Sequence, residues 1–473
     1  MDLNADLLPA HMGATAADTP LYLLSGSFRS LSLALLAFYP TNRTISHITT
    51  VNAFGPHQYL ALNRQKGVVY TTSWATPPIL SSWALKTGED GSVTDVEHLN
   101  TVQITATSSY INIPPPFDFV YSAGGPTGEV HRLEKDGSIG EKVQEFLFVP
   151  PGELEKADKS RVALRYGSHG VELSSSGYAF IPVLGTSTIE MYRRDQATGR
   201  LEHVFSSPSP RGPASHDGPR HVKVHPNGKI LYCVTEHNNF LDVYRIEDDA
   251  LVHLSAHSLL PPHLRASSDI GPTDDPHLRS VYRCGTLMLT PSTDTFPAPI
   301  ALFTTTRGAT SAQRGWVSVF RLGSDGLVVP MLPPTVTSEG ESVDEVGGIQ
   351  SPLGARDETS RFETPTSSGK ANALDIRVKS SRLGGPTESS GFWILLTDDD
   401  RKADMKGAVR VLEWDGWGVP GRNADPKTWE VKVVAEWPDK VGRGGRGRMM
   451  GEIVEVESVE PEFTGASHAI WLD

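Results

Sequence analysis

The stretch GPRHVKVHPNGKILYCVTEHNNFLDVYRI (Gly218–Ile246) decides the fold. Val222 and Val224 alternate with polar neighbours, which is the period-two pattern of a half-buried strand. A turn ending in Gly228 follows, then the apolar-aromatic run Ile230–Val234, a second polar turn and the third run FLDVYRI. Three short strands joined by tight turns read as an antiparallel meander. An arginine, Arg220, stands at its start and a glutamate, Glu236, at its middle turn.

Working outward, the end of this stretch recurs. VYRIEDDALVHL (243–254) has relatives in LLAFYPTNRTISHI (35–48), SWALKTGEDGSVTDV (82–96), VHRLEKDGSIGEKV (130–143), MYRRDQATGRLEHV (191–204), VFRLGSDGLVVP (319–330) and VLEWDGWGV (411–419). Each is an alternating strand, a Gly/Asp/Asn turn and a second strand, the signature of a hairpin. A second hairpin precedes most of them. HGVELSSSGYAFIPVL (169–184) matches RHVKVHPNGKILYCV (220–234) through Gly177 and Gly228, and 285–306 and 371–397 repeat it with longer turns. The unit is therefore four antiparallel strands, A to D, of roughly 50 residues, and seven such units predict an all-β, seven-bladed β-propeller. The first unit opens at a B strand, LYLLSGS (21–27). The C-terminal SHAIWLD (467–473) alternates Ile470 and Leu472 as Val222 and Val224 alternate. It is expected to supply the missing inner strand of blade one and close the ring, which removes two open sheet edges.

The whole chain, 1–473, reads as one domain. Between about Gly323 and Gly369 it is rich in Pro, Ser, Gly and Glu, which predicts a disordered insertion after the sixth blade. RASSDIGPTDDPHLRS (265–280) reads as a second insertion, and DKVGRGGRGRMMGE (439–452) as a short basic loop without the interleaved aromatics of a nucleic-acid platform.

A net charge of −13 argues against nucleic acid or an anionic membrane as partner. Two cysteines, Cys233 and Cys284, lie in apolar strands and read as buried thiols in a reducing compartment. The N-terminal apolar run is interrupted by Arg29 and lacks a basic leader, and no run reaches membrane-spanning length. A cytoplasmic protein is the expectation, with a homo-oligomer admissible.

In a propeller blade the start of strand A and the end of strand B share one end, and strand A lines the central channel. His169 takes the place of Arg220 in blade four, Asn372 in blade seven and His468 in the closing strand; Arg283 and Lys370 lie two residues earlier on the same face. The B strands end in Glu236, Arg307 and Asp398. One mouth is thus expected to collect two histidines, three arginines, a lysine and two acids. Each has a plain alternative: a hydrogen-bonded strand-end histidine, a solvated turn acid, or arginines that tie blades together through Glu236 and Asp398. Their alignment across blades favours a site. The nine histidines from His203 to His277 lack the spacing of a metal set, and no P-loop, dinucleotide fingerprint or nucleophile elbow stands in its required context. Neither metal nor cofactor is expected.

At these residues the chain resembles the fungal 3-carboxy-cis,cis-muconate cyclases, seven-bladed relatives of the 6-phosphogluconolactonase-type lactonases. The likeness is carried by SHG (168–170), GPRHVKVHPNGKILYCVTE (218–236), VYRCGTLMLT (281–290), LLTDDD (395–400) and AIWLD (469–473). It departs where the family has His-Pro-Arg against Gly218-Pro219-Arg220, a histidine against Lys370 and an asparagine against His468. The resemblance implies a cofactor-free intramolecular lyase of a small polycarboxylate. One carboxylate adds to an alkene carbon and the carbon alpha to a carboxylate is protonated. The implied site falls on His169, Arg220, Glu236 and Arg283. Arg220 and Arg283 would bind carboxylates, because a guanidinium is planar and permanently charged. His169 and Glu236 would transfer the proton, with His169 as acid, and Lys370 and His468 would be secondary contacts. The alternatives are a lactonase hydrolysing a sugar-acid lactone, and a propeller scaffold without catalysis.

Overall fold

The computed structural model describes residues 19–264, 281–293, 296–329, 359–379, 391–400, 407–417, 430–438 and 463–472. They form seven four-stranded antiparallel sheets. Blade five shows why this sequence builds a blade. Pro219–Val224, Ile230–Thr235, Phe240–Ile246 and Leu251–Ser258 pair in order. Val222 sits across from Cys233, and Leu231 across from Tyr244. The alternating apolar residues of each blade meet those of the next. Seven hydrophobic clusters result, one at each interface between neighbouring blades.

The ring closes as expected. Ala466–Trp471 is the innermost strand of blade one, paired with Leu21–Ser27, with Leu23 opposite Trp471 and Leu24 opposite Ile470. Its two faces serve two interfaces. Ala469 and Trp471 pack into the cluster shared with blade seven, while Ile470 and Leu472 pack into the one shared with blade two. The period of two in SHAIWLD is therefore what joins the last residues to both neighbours of the gap.

The predicted 323–369 insertion needs a correction at both borders. Thr359–Glu363 is the outer strand of blade six, paired with Trp316–Arg321. The residues that follow are built in as well, with Thr364, Thr366, Ser367 and Ser368 buried. Leu327–Val329 is not the D strand that the hairpin pattern suggested; Val328 makes only an isolated bridge to Leu322. The insertion thus interrupts blade six between its third and fourth strands, and residues 330–358 lie outside the described residues. A strand of only five residues, Thr-Ser-Arg-Phe-Glu, carries too little apolar pattern to stand out beside a polar stretch. The segments 265–280 and 439–452 also lie outside the described residues. Among the described residues no helix is long and apolar enough to cross a membrane.

Between blades three and four the chain does more than connect. Residues 148–171 link the outer strand of blade three to the inner strand of blade four as a strap whose residues 161–169 reach the mouth of the ring, and they include the 3-10 turn Arg161–Arg165, which Ser160 caps by accepting from the Val162 N–H. The strap is held on blade three by Thr107 N–H to the Lys159 carbonyl (2.9 Å) and on blade four by Gly185 N–H to the Tyr166 carbonyl (2.7 Å).

Candidate functional site

The mouth is organised around one carboxylate. A register shift between Pro219 and His221 takes Arg220 out of the ladder of blade five. Its Nε donates to Glu236 Oε2 at 2.9 Å, and its Nη1 donates to the Gly285 carbonyl of blade six. A Cβ at Gly285 would lie 1.9 Å from the buried Asn372 side-chain amide, so a larger residue there would have to displace it. Blade six sends two more arginines to the same acid. Arg307 Nη2 lies 3.1 Å and Arg283 Nη1 3.3 Å from Glu236 Oε1. The Glu236 N–H donates to the Gly218 carbonyl (2.7 Å), which holds the backbone of the turn. Burial by itself would push the Glu236 carboxyl up; Arg307 and Arg220 outweigh it and hold the group well below the usual carboxylate range. The guanidinium groups thus favour the carboxylate form of Glu236 at neutral pH.

His169 is buried in the same wall, and it departs from expectation in charge. Its Nε2 bonds the Leu164 carbonyl of the strap. A carbonyl only accepts, so the proton is on Nε2 and Nδ1 presents a lone pair. That Nδ1 is buried and has no hydrogen-bond partner among the described residues. Burial first, then the Arg220 guanidinium, lowers its pKa to about 3, against an upward pull from Glu236 and the Leu164 bond. The sequence reading made His169 the acid; the structure buries the imidazole beside Arg220, which favours its neutral form.

His169, Arg220, Glu236, Arg283 and Lys370 line one cavity of about 920 Å³. His468 does not. It stands one layer further in, lining a small cavity of about 30 Å³ with Asn372 and His221. Its ring stacks on Tyr59 (4.0 Å), its Nδ1 accepts from the Leu60 N–H (3.2 Å), and burial lowers its pKa to about 3. It is bound into the channel wall and reaches the mouth only through that inner cavity. Asp398 is also withdrawn. It pairs with the fully buried Arg410 (2.5 Å) and accepts from Thr366, inside blade seven. A B-strand terminus can face the channel or the blade interior, and pattern alone does not choose. The histidines after His203 are dispersed as well: His203 bonds Glu190, His253 bonds Asp242, and His221 bonds Thr286 in the channel.

Trp74, Arg161 and Arg165 are among the lining residues not picked out in the sequence. Trp74 follows the B strand Val68–Thr72 of blade two, so the end-of-strand rule applied to that blade would have reached it. Arg161 and Arg165 sit on the strap, where no repeat register exists to place them. With them the cavity carries Arg161, Arg165, Arg220, Arg283, Arg307 and Lys370 against Glu236, its one lining carboxylate among the described residues. A protein of net charge −13 has gathered cations at one point, an arrangement with the charge to attract an anionic ligand. Gly218, where the resembling family has histidine, has a φ of +66°, and a Cβ there would meet the His237 ring at 2.8 Å. His237, which also lines the cavity, fills that space instead.

Muconate cycloisomerase 1 of Cutaneotrichosporon cutaneum is 27% identical over 368 residues, spanning 76% of this chain and 84% of that protein. A putative 6-phosphogluconolactonase of Bacteroides uniformis superposes with a TM-score of 0.59 at 13% identity, over 96% of this chain and 99% of that one. The periplasmic gluconolactonase of Pseudomonas aeruginosa gives 0.57 at 16% identity, over 88% and 96%. At such identities these two structures speak to the fold alone. The family profile described as "Lactonase, 7-bladed beta-propeller" matches residues 23–278, more than half of the sequence, and with the closed seven-bladed ring this establishes that the chain belongs to the seven-bladed lactonase family.

Proposed function

We propose that this protein is a cofactor-free cycloisomerase that interconverts 3-carboxy-cis,cis-muconate and its lactone, an intramolecular lyase reaction. The observation that carries the reading is the pairing of a neutral histidine base with a ring of arginines. His169 offers an unpartnered Nδ1 lone pair, and Glu236 aligns Arg220, Arg283 and Arg307 beside it. In the lactone-opening direction, the His169 ring turns its Nδ1, buried in the free protein, towards the bound ligand and takes the proton alpha to a carboxylate. The electron pair left on that carbon forms the alkene as the ring C–O bond breaks, and the ring oxygen leaves as a carboxylate. The arginines stabilise the enolate-like charge that develops between these events. In the lactonising direction the same atoms run backwards. A carboxylate oxygen bonds to the alkene carbon, and His169 returns a proton to the alpha carbon. His169 is neutral in the free protein; a bound polyanion raises the imidazole pKa and creates the acid only when substrate is present. Glu236 serves as the counter-ion that keeps three guanidinium groups aligned and does not itself carry the proton.

Hydrolysis of a sugar-acid lactone is the second reading. The same Nδ1 could take a proton from water rather than from carbon, and the 27% identical relative is named for the cycloisomerisation. Incubation with 3-carboxy-cis,cis-muconate, followed by loss of diene absorbance, and with 6-phosphogluconolactone, followed by acid release, separates them. Diene consumption without acid release from the sugar lactone is the expected result. Acid release with an untouched diene would replace the proposal by the hydrolase.

A further inference from the structure

The strap presents charge that the central arginines do not share. Arg220, Arg283 and Arg307 are all committed to Glu236. Arg161 and Arg165 are exposed at the cavity wall and have no carboxylate partner among the described residues. The strap is built to hold them there. Ala163 and Leu164 turn inward and are buried, and the backbone is tied to two blades by the bonds of Lys159 and Tyr166. Arg161 lies over the Trp74 ring at 4.7 Å, and Trp74 is in turn stacked on Phe28 at 4.6 Å. Trp74 Nε1 donates to Gln58 Oε1 at 2.8 Å, which fixes the ring. Stacking uses the face of a guanidinium and leaves its in-plane N–H groups free for a carboxylate.

We propose that Arg161 and Arg165 form a distal carboxylate subsite that makes the mouth prefer a planar tricarboxylate over the matching dicarboxylate. This deepens, and rests on, the polycarboxylate reading of the same cavity. Two carboxylates of the ligand face the arginines around Glu236, the flat unsaturated body passes Trp74, and the third carboxylate is taken by the strap. The central arginines are partly neutralised by Glu236, so a second centre of charge is what distinguishes a third carboxylate from none.

The test is an equilibrium one with unreactive probes. Benzene-1,2,4-tricarboxylate and benzene-1,2-dicarboxylate are titrated calorimetrically into wild-type protein, Arg161→Ala/Arg165→Ala and Arg161→Lys/Arg165→Lys. Two arginine contacts at a half-open site give the wild type a preference for the tricarboxylate of about tenfold. The double alanine variant is expected to lose that preference, and the double lysine variant to keep part of it. Both side chains are exposed, and unchanged melting of each variant checks that the ring is intact. A preference that survives in the double alanine variant, or a wild type without one, overturns the subsite. Turnover plays no part in this measurement. Failure to consume carboxymuconate would therefore count against the reaction, and a persistent preference against the strap.

Discussion

The neutral state of His169 is the point on which the chemistry turns, and His169→Gln tests it. Displacement of the imidazole from 6.5 to about 3 corresponds to roughly 5 kcal/mol of preference for the neutral form. The folded-state pKa is depressed, so between those two values the unfolded chain binds more protons than the folded one. Stability is then lost as pH falls below about 6.5, down to about 3. From neutral pH to about pH 4.5 this single group should remove roughly 2–3 kcal/mol. Glutamine can still donate an amide N–H to the Leu164 carbonyl but does not titrate. Urea unfolding of wild type and variant at both pH values isolates the term, because every other buried histidine is common to the two. The variant should lose roughly 2–3 kcal/mol less than wild type over that interval. Turnover should fall about 10²- to 10⁴-fold at neutral pH, with a smaller change in KM. Identical acid slopes in the two proteins, or a histidine-labelled NMR spectrum in which His169 titrates near its ordinary value, would refute the neutral base.

Other outcomes follow from the same contacts. Glu236→Gln leaves Arg220 and Arg307 facing one another without their anion, which should cost about 3–5 kcal/mol of stability; denaturant unfolding reads it, and wild-type turnover in a destabilised variant would reduce Glu236 to an inter-blade tie. Arg220→Ala should weaken polycarboxylate binding by about 2–5 kcal/mol, and the binding should fall with salt. Arg283→Ala should matter less, because its side chain is 46% exposed against 10% for Arg220. Equal losses in calorimetry would contradict that order. Trp471→Ala removes a side chain buried to 1% exposure from the closing interface and should cost about 3–5 kcal/mol, whereas truncation after Gly465 should abolish soluble folding. Replacing 330–358 with a Gly/Ser linker should leave the melting temperature nearly unchanged, because loop-closure entropy grows slowly with length; extending the deletion through Glu363 should lower it by stripping the outer strand of blade six.

Strand number, blade count and ring closure were legible in the residues, because each rests on a local period. A strand shows its buried face every second residue, as at Val222, Val224, Ile470 and Leu472, and a hairpin shows its turn. The same register brought His169, Arg220, Glu236, Arg283 and Lys370 to one mouth before any contact was known. What the period does not carry is depth and direction at strand ends. Asp398 turns into its own blade to meet Arg410 while Glu236 turns to the channel, and His468 lies a layer below the cavity that its register suggested. The outer strand at Thr359–Glu363 was lost in its polar surroundings, since an edge strand is defined by the neighbour it pairs with more than by its own pattern. The charge state of His169 was decided by tertiary structure alone. Its largest influences are burial, Arg220, Glu236 and then the Leu164 carbonyl of a strap with no repeat to place it. Desolvation and Coulomb energy depend on distances across the fold, and those exist only once the blades have closed.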